Sequence, residues 1–199
     1  HPVAAAQLVG PDRFVPGLRP RFTELALRHG VEVYESLLPE LDRLSAGFVA
    51  AALLGMGFET TRGRRFRAVE EARRLGVVDR HLRLFSRLLA MLVEDEVLHR
   101  NGDEFEIVGA LPPADATAGY ESLLARFSPT NGELRTLRRC GPELGHVLQG
   151  EQDPLQLLFP GGSFAEAREL YVESPFAQTY NRALGEALQR EGFELVSSR

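Results

Sequence analysis

The spacing of apolar positions predicts a chain built mostly of helices. From Pro39, the run "PELDRLSAGFVAAALLGMGF" opens with proline and acids in its first turn. Leu41, Leu44, Phe48, Ala52 and Leu53 then recur at helical intervals, and Gly55 and Gly57 supply a stop. A shorter helix is expected over "AVEEARRLG" (68–76), closed by Gly76. Another lies in "VVDRHLRLFSRLLAMLVEDEVL", where Leu82, Phe85, Leu88, Leu89 and Leu92 share one face. The period then changes. In "VLHRNGDEFEIVG" the turn signal Asn-Gly-Asp sits between extended runs at 97–100 and 104–108, which is a hairpin pattern. Helices followed by a two-stranded hairpin predict a winged-helix-like arrangement.

The flanks read differently. Residues 1–20, interrupted by Pro2, Pro11, Pro16 and Pro20, are expected to be loop. "RFTELALRHGVEVYESL" gives short helical signals about Gly30. "ALPPADATAG" (110–119) has the small-residue and proline content of a linker. Beyond it the chain is helical again, with capping boxes at Thr130/Glu133 and Ser163/Glu166, and with Ser174 as N-cap before Pro175. The expected fold class is mainly α. An irregular lead-in (1–30) precedes a winged-helix-like helical subdomain with a small β-hairpin (31–109), the linker (110–119) and a second helical subdomain (120–199).

With 199 residues, 44% hydrophobic and 26% charged, the chain has ordinary globular composition and can bury a sizeable core. A net charge of −5 excludes a general nucleic-acid-binding polycation. All 23 basic residues are Arg, which reads as a GC-rich genome rather than a selected chemistry. One cysteine, Cys140, excludes an internal disulfide, and a reducing, cytoplasmic setting is expected. No signal-peptide pattern and no apolar run of membrane-spanning length stand out. The absence of an initial Met leads us to expect a piece of something longer.

Charge is concentrated in "TRGRRFRAVEEARRLG", which carries Arg62, Arg64, Arg65, Arg67, Arg73 and Arg74, followed by Arg80, Arg83 and Arg87. This stretch could lie along DNA phosphates, dock an acidic partner or a phosphate group, or form a solvated face paired locally with Glu70, Glu71 and Asp79. The five histidines are scattered, with none at metal-clamping spacing. Ser163 follows two glycines without the G-x-S-x-G elbow and is better read as a cap. Cys140 has Arg138 and Arg139 beside it, yet sits where a small helix-end residue is convenient. The acids at 94–96 and 150–153 read as caps or solubilising groups. No strand leads into a glycine-rich phosphate loop.

The stretch "LRRCGPELGHVLQGEQDPLQLLFPGGSFAEARELYVESPFAQTYNRAL" (137–184) resembles the segment upstream of an embedded S-adenosylmethionine-dependent methyltransferase core in modular polyketide synthases and hybrid peptide synthetases. The matching features are Cys140-Gly141, a helix ending in Leu148–Gly150, "DPLQLLFP", Leu170-Tyr171, Ser174-Pro175 and Tyr180-Asn181. Residues 31–108 are similar to the helical, wing-bearing part of the same regions at the level of pattern only.

The resemblance implies a helical lid over the methyltransferase core, non-catalytic alone, covering an acyl chain carried on phosphopantetheine. It implies S-adenosylmethionine for the adjoining core and no cofactor in this chain. The core and an acyl carrier protein of the same synthase become the expected partners. Tyr171, Ser174, Tyr180, Asn181 and Phe159 are placed nearest the substrate cavity. Arg62, Arg64, Arg65 and Arg67 are expected to face the partner or the phosphopantetheine. Two alternatives stay open: a dimerisation or docking module of a synthase, and a winged-helix DNA-binding regulator using the 79–93 helix. An enzyme using Cys140 is a third. No membrane is expected, and nucleic acid is not the favoured partner.

Overall fold

A computed structural model describes residues 11–113, 116–127 and 132–190. The first ten residues, 114–115 of the expected linker, Thr130 of one expected capping box, and 191–199 lie outside the described residues. The fold is mainly α with one small antiparallel sheet, as the apolar spacing predicts.

The chain divides into two compact units, His1–Ser36 with Arg168–Arg199, and Leu37–Ala167. The first contains α1 (Pro11–His29), a π-helical turn (Glu169–Glu173) and α10 (Pro175–Arg190), with α1 packed along α10. The loop expected over 1–20 is corrected for residues 11–20, because α1 begins at Pro11 and runs through Pro20. A proline inside a helix costs one backbone hydrogen bond and crowds the preceding turn. Packing on α10 outweighs that cost, with Leu25 fully buried on α1 and Ala177, Ala183 and Ala187 buried on α10. Gly30, at φ 73°, stops α1 in the left-handed conformation that suits glycine.

The second unit takes in most of α2 (Val33–Gly55) and continues through β1 (Arg65–Arg67), α3 (Ala68–Arg74), a 3-10 turn (Asp79–His81), α4 (Leu82–Glu94), β2 (Leu98–Asn101) and β3 (Glu104–Ile107). α2 starts six residues before Pro39, so that proline is inside the helix rather than at its start. The expected hairpin is β2–β3, turning at Asn101–Gly102–Asp103. A third strand, β1, was not legible and pairs antiparallel with β3 through Phe66↔Phe105, giving the order β1-β3-β2. Three residues are too short for a period, and only the burial of Phe66 between exposed Arg65 and Arg67 marks the strand.

Four helices complete this unit before α10: α5 (Ala116–Phe127), α6 (Gly132–Cys140), α7 (Leu144–Leu148) and α8 (Pro154–Leu158); α9 (Ala165–Arg168) straddles its end. α5 starts at Ala116, inside the stretch read as linker. The core joins Leu53, Phe66, Phe85, Leu89, Leu92, Leu98, Phe105 and Ile107, and Leu148 of α7 enters the same cluster. The Val78 amide donates to the Leu148 carbonyl (3.0 Å), and Gln149 Nε2 donates to the Leu75 carbonyl (3.0 Å), so α7 is tied to the helix–sheet part.

Two glycines in the 137–184 stretch have steric reasons. A Cβ on Gly141 would stand 2.5 Å from the Phe48 ring, so α6 reaches α2 only because that position is bare. Gly150 ends α7 at φ 78°, and a Cβ there would meet Val78 at 2.9 Å.

Candidate functional site

Most of the residues expected near a cavity lie on the first unit. α10 begins with Ser174, whose Oγ accepts from the Ala177 amide (3.1 Å) and donates to the Leu170 carbonyl (2.8 Å). It is therefore the expected N-cap, buried and occupied with holding α10 to the π-helical turn. One turn on, Thr179 is fully buried, donating to the Pro175 carbonyl and lying 2.9 Å from His29 Nδ1 on α1. Asn181 Nδ2 donates to the Tyr171 carbonyl (2.8 Å), which brings those two expected residues together. Tyr171 itself is 73% exposed.

Tyr180 sits in a line of aromatic contacts. Its ring lies 4.8 Å from Phe22 and 4.3 Å from Phe176, and Phe176 is 5.9 Å from Tyr34. The Phe22–Tyr180 and Phe176–Tyr34 pairs are edge-on, a geometry favourable beyond the area it buries. Alongside, Leu18, Phe22, Tyr180, Ala183 and Leu184 line an open, mostly apolar groove of about 470 Å³, with Arg19, Thr23 and Asn181 at its edge. Tyr180, Phe176, Val172 and Leu184 all remain about half exposed. The groove can accept apolar surface; it carries no nucleophile with an adjacent base.

Phe159 belongs to the second unit, where its ring is 5.2 Å from exposed Phe164. The "DPLQLLFP" segment forms α8, capped by the Asp153 carboxylate accepting from the Leu155 amide (2.9 Å). Leu155 is 58% exposed and Leu158 also reaches solvent, so this apolar stretch is not enclosed. Arg139 Nε donates to the Leu157 carbonyl, pinning α8 to α6.

The four expected partner-facing arginines separate. Arg64 turns inward: Nη2 donates to Glu71 Oε2 at 2.6 Å, and its guanidinium carbon lies 5.2 Å from the Phe66 ring centre. Glu71 is 2% exposed. Burial pushes its carboxyl up, but the forks from Arg74 and Arg64 prevail and hold it below the usual carboxylate range. Arg65 pairs across the sheet with Glu106 at 3.0 Å. Arg62 and Arg67 are exposed.

Arg67 borders a second depression of about 460 Å³ with Arg73, Arg100, Ser86 and Phe105. Arg73 was named in the arginine-rich stretch but not among the four expected to face a partner, and Arg100 was not singled out; α3 and the β2–β3 hairpin bring them to Arg67. Only the fold makes that neighbourhood.

Other candidates resolve to structural roles. Ser163 Oγ accepts from the Ala165 amide ahead of α9 (3.2 Å), as a cap does. Cys140 closes α6, half-buried. Among the described residues no group of His, Cys, Asp and Glu is placed to hold a metal ion. The outward face of α4 offers Arg83 and Arg87, and Arg87 is held by Glu94 at 2.6 Å. No described helix is long and apolar enough to cross a membrane.

Among the described residues, no strand leads into the glycine-rich turn that cradles a nucleoside cofactor in a doubly wound sheet. The strands are short and antiparallel, and β1 passes directly into α3 through Arg67-Ala68 with no glycine turn between them.

No protein-family model matches the chain. It is 27% identical over 158 residues to the non-reducing polyketide synthase dpmpA of Macrophomina phaseolina, spanning 77% of this chain and 7% of that one. It is 26% identical over 176 residues to 5-methylorsellinic acid synthase of Aspergillus terreus, spanning 85% of this chain and 6% of that one. The crystal structure of the CurJ carbon methyltransferase matches 96% of this chain at 30% identity, with a TM-score of 0.83. There this chain spans 51% of the longer one. The chain is thus similar to the methyltransferase region of polyketide synthases, and the resemblance read from residues 137–184 is borne out.

Proposed function

We propose that this chain is the helical cover of a carbon methyltransferase domain in a polyketide synthase, closing over an acyl group carried on phosphopantetheine. The observation that carries the reading is the likeness to CurJ. Nearly all of this chain is matched by about half of that methyltransferase, at 30% identity. In this reading the other half is the seat for S-adenosylmethionine. In this reading the chain is not catalytic by itself, and its partners are the adjoining core and an acyl carrier protein of the same synthase.

Two further features support the reading. The order α2, β1, α3, α4, β2, β3 with β1 on β3 supports the winged-helix-like reading, in which this part serves as a scaffold for α5–α8. The half-exposed aromatic and aliphatic side chains of α10 make an apolar surface suited to a neighbouring core or an acyl chain. Tyr180 and Asn181 are then cavity residues, Tyr171 stands at the margin, and Ser174 positions α10. An aqueous, cytoplasmic setting follows from the synthase reading.

The test is methyl transfer to a carrier-bound acyl group by the synthase that carries this chain. Tyr180→Ala with Leu184→Ala lowers the rate about tenfold through lost substrate positioning, with S-adenosylmethionine affinity unchanged. Unaltered transfer in that variant overturns the cover reading. A stable dimer of the isolated chain by light scattering, with transfer unaltered, would favour the docking-module alternative.

A further inference from the structure

The depression beside Arg67 differs from the rest of the arginine-rich stretch. Arg64, Arg65, Arg74 and Arg87 are each committed to a carboxylate: Glu71, Glu106, Glu71 and Glu94. Among the described residues, Arg67, Arg73 and Arg100 make no ion pair, and all three border the same depression of about 460 Å³. Arg100 is held there: Nε donates to the Gly102 carbonyl (2.8 Å), and its guanidinium carbon lies 5.5 Å from the Phe105 ring centre. Phe105, Ala68 and Val69 supply an apolar part of the lining, and Ser86 adds a hydroxyl. Glu70 and Asp103 are the acids at the rim, so three guanidinium charges against two carboxylates leave one net positive charge.

We infer that this depression is a binding subsite for a phosphate ester. Guanidinium forks match phosphate oxygens in geometry and charge, and a phosphate ester, singly charged as a diester and more strongly charged as a monoester, offsets the excess. The volume is several times what a phosphate group needs, and the mixed lining suits an organic chain attached to it. The phosphopantetheine arm is one source of such an ester and a free nucleotide another. Preference for the former rests on the cover reading. The subsite itself does not.

The experiment titrates the whole chain with 4′-phosphopantetheine, pantetheine, adenosine monophosphate, inorganic phosphate and a short duplex DNA, following backbone amide shifts by NMR. Phosphopantetheine shifts the amides around Arg67, Ser86 and Phe105 and binds about tenfold more tightly than pantetheine, with affinity falling as salt rises. Arg67→Gln with Arg73→Gln, and separately Arg100→Gln, each weaken binding about fivefold or more, while Arg83→Gln on exposed α4 leaves it unchanged. Dispersed amide spectra of each variant establish that it is folded.

Equal binding of pantetheine, or shifts located elsewhere, overturns the subsite. Inorganic phosphate binding as tightly as the esters overturns the ester assignment, and tighter binding of a duplex DNA overturns it in favour of a nucleic-acid surface. Adenosine monophosphate matching phosphopantetheine supports the subsite and assigns it to free nucleotides. Because methyl transfer is measured separately, loss of the subsite leaves the cover reading standing, and the reverse also holds.

Discussion

Arg21 and Glu186 stand 165 positions apart in the chain and are joined by two hydrogen bonds, Nε to Oε2 at 2.7 Å and Nη2 to Oε1 at 2.8 Å. The fork ties α1 to α10, and Arg182 adds a third bond to the same carboxylate at 2.8 Å. Those bonds hold the Glu186 carboxyl down to about 2 from an ordinary 4.5. The folded-state value is depressed, so the stabilisation is fully present above about pH 4.5 and is lost as pH falls towards 2. Arg21→Met should therefore lower the melting temperature at pH 7 and lower it progressively less as the pH drops through that window. A difference that stays constant down to pH 2 would show that the fork contributes nothing.

Arg64→Ala removes one of two cations from a carboxylate that is almost wholly buried. Leaving a buried charge short of a partner costs about 3 kcal/mol, read as a shift in urea midpoint with unchanged slope. Arg65→Ala, whose pair with Glu106 is exposed, should cost less than about 1 kcal/mol. Equal losses in the two variants would contradict the inward role of Arg64.

Gly141→Ala puts a methyl group 2.5 Å from Phe48 and 2.8 Å from the Leu137 carbonyl. Overpacking of this kind costs about 1–3 kcal/mol, because α6 must retreat from α2. Gly161→Ala meets no atom within 4 Å, so its cost comes only from its φ of 60°, and denaturation of the two variants separates the effects. A smaller loss at 141 than at 161 would argue against the close approach.

Ser174→Ala should destabilise by about 1 kcal/mol, since the hydroxyl caps the Ala177 amide and also ties back to Leu170. Hydrogen exchange would then rise first at the amino end of α10. Uniform exchange along the helix would place the cap's contribution elsewhere.

The parts legible in the sequence were those with a long apolar period or a specific cap. The face of Phe85, Leu88, Leu89 and Leu92, the Asn-Gly-Asp turn and the Ser174-Pro175 start were all readable from local rules. The first half of α1 was missed because the prolines within the first twenty residues argue against a helix locally, and only α10, far along the chain, supplies the packing that sustains it. β1 was missed because three residues carry no period. The arginine motif was visible, but which arginines are neutralised depends on Glu71 and Glu106 meeting Arg64 and Arg65 in space. Tyr180 was named from its motif; its aromatic neighbour Phe22, and Tyr34 against Phe176, were not, since both lie far earlier in the chain.

The central claim is that α10 faces the acyl group or the catalytic core of the same synthase. The most direct measurement replaces Tyr180 with the photoreactive p-benzoylphenylalanine in the synthase, loads the carrier with a labelled acyl chain, and maps the products of illumination. Cross-links from position 180 to the core or to the labelled chain are the predicted result. Illumination that yields neither, in a protein that still transfers methyl groups, would contradict it.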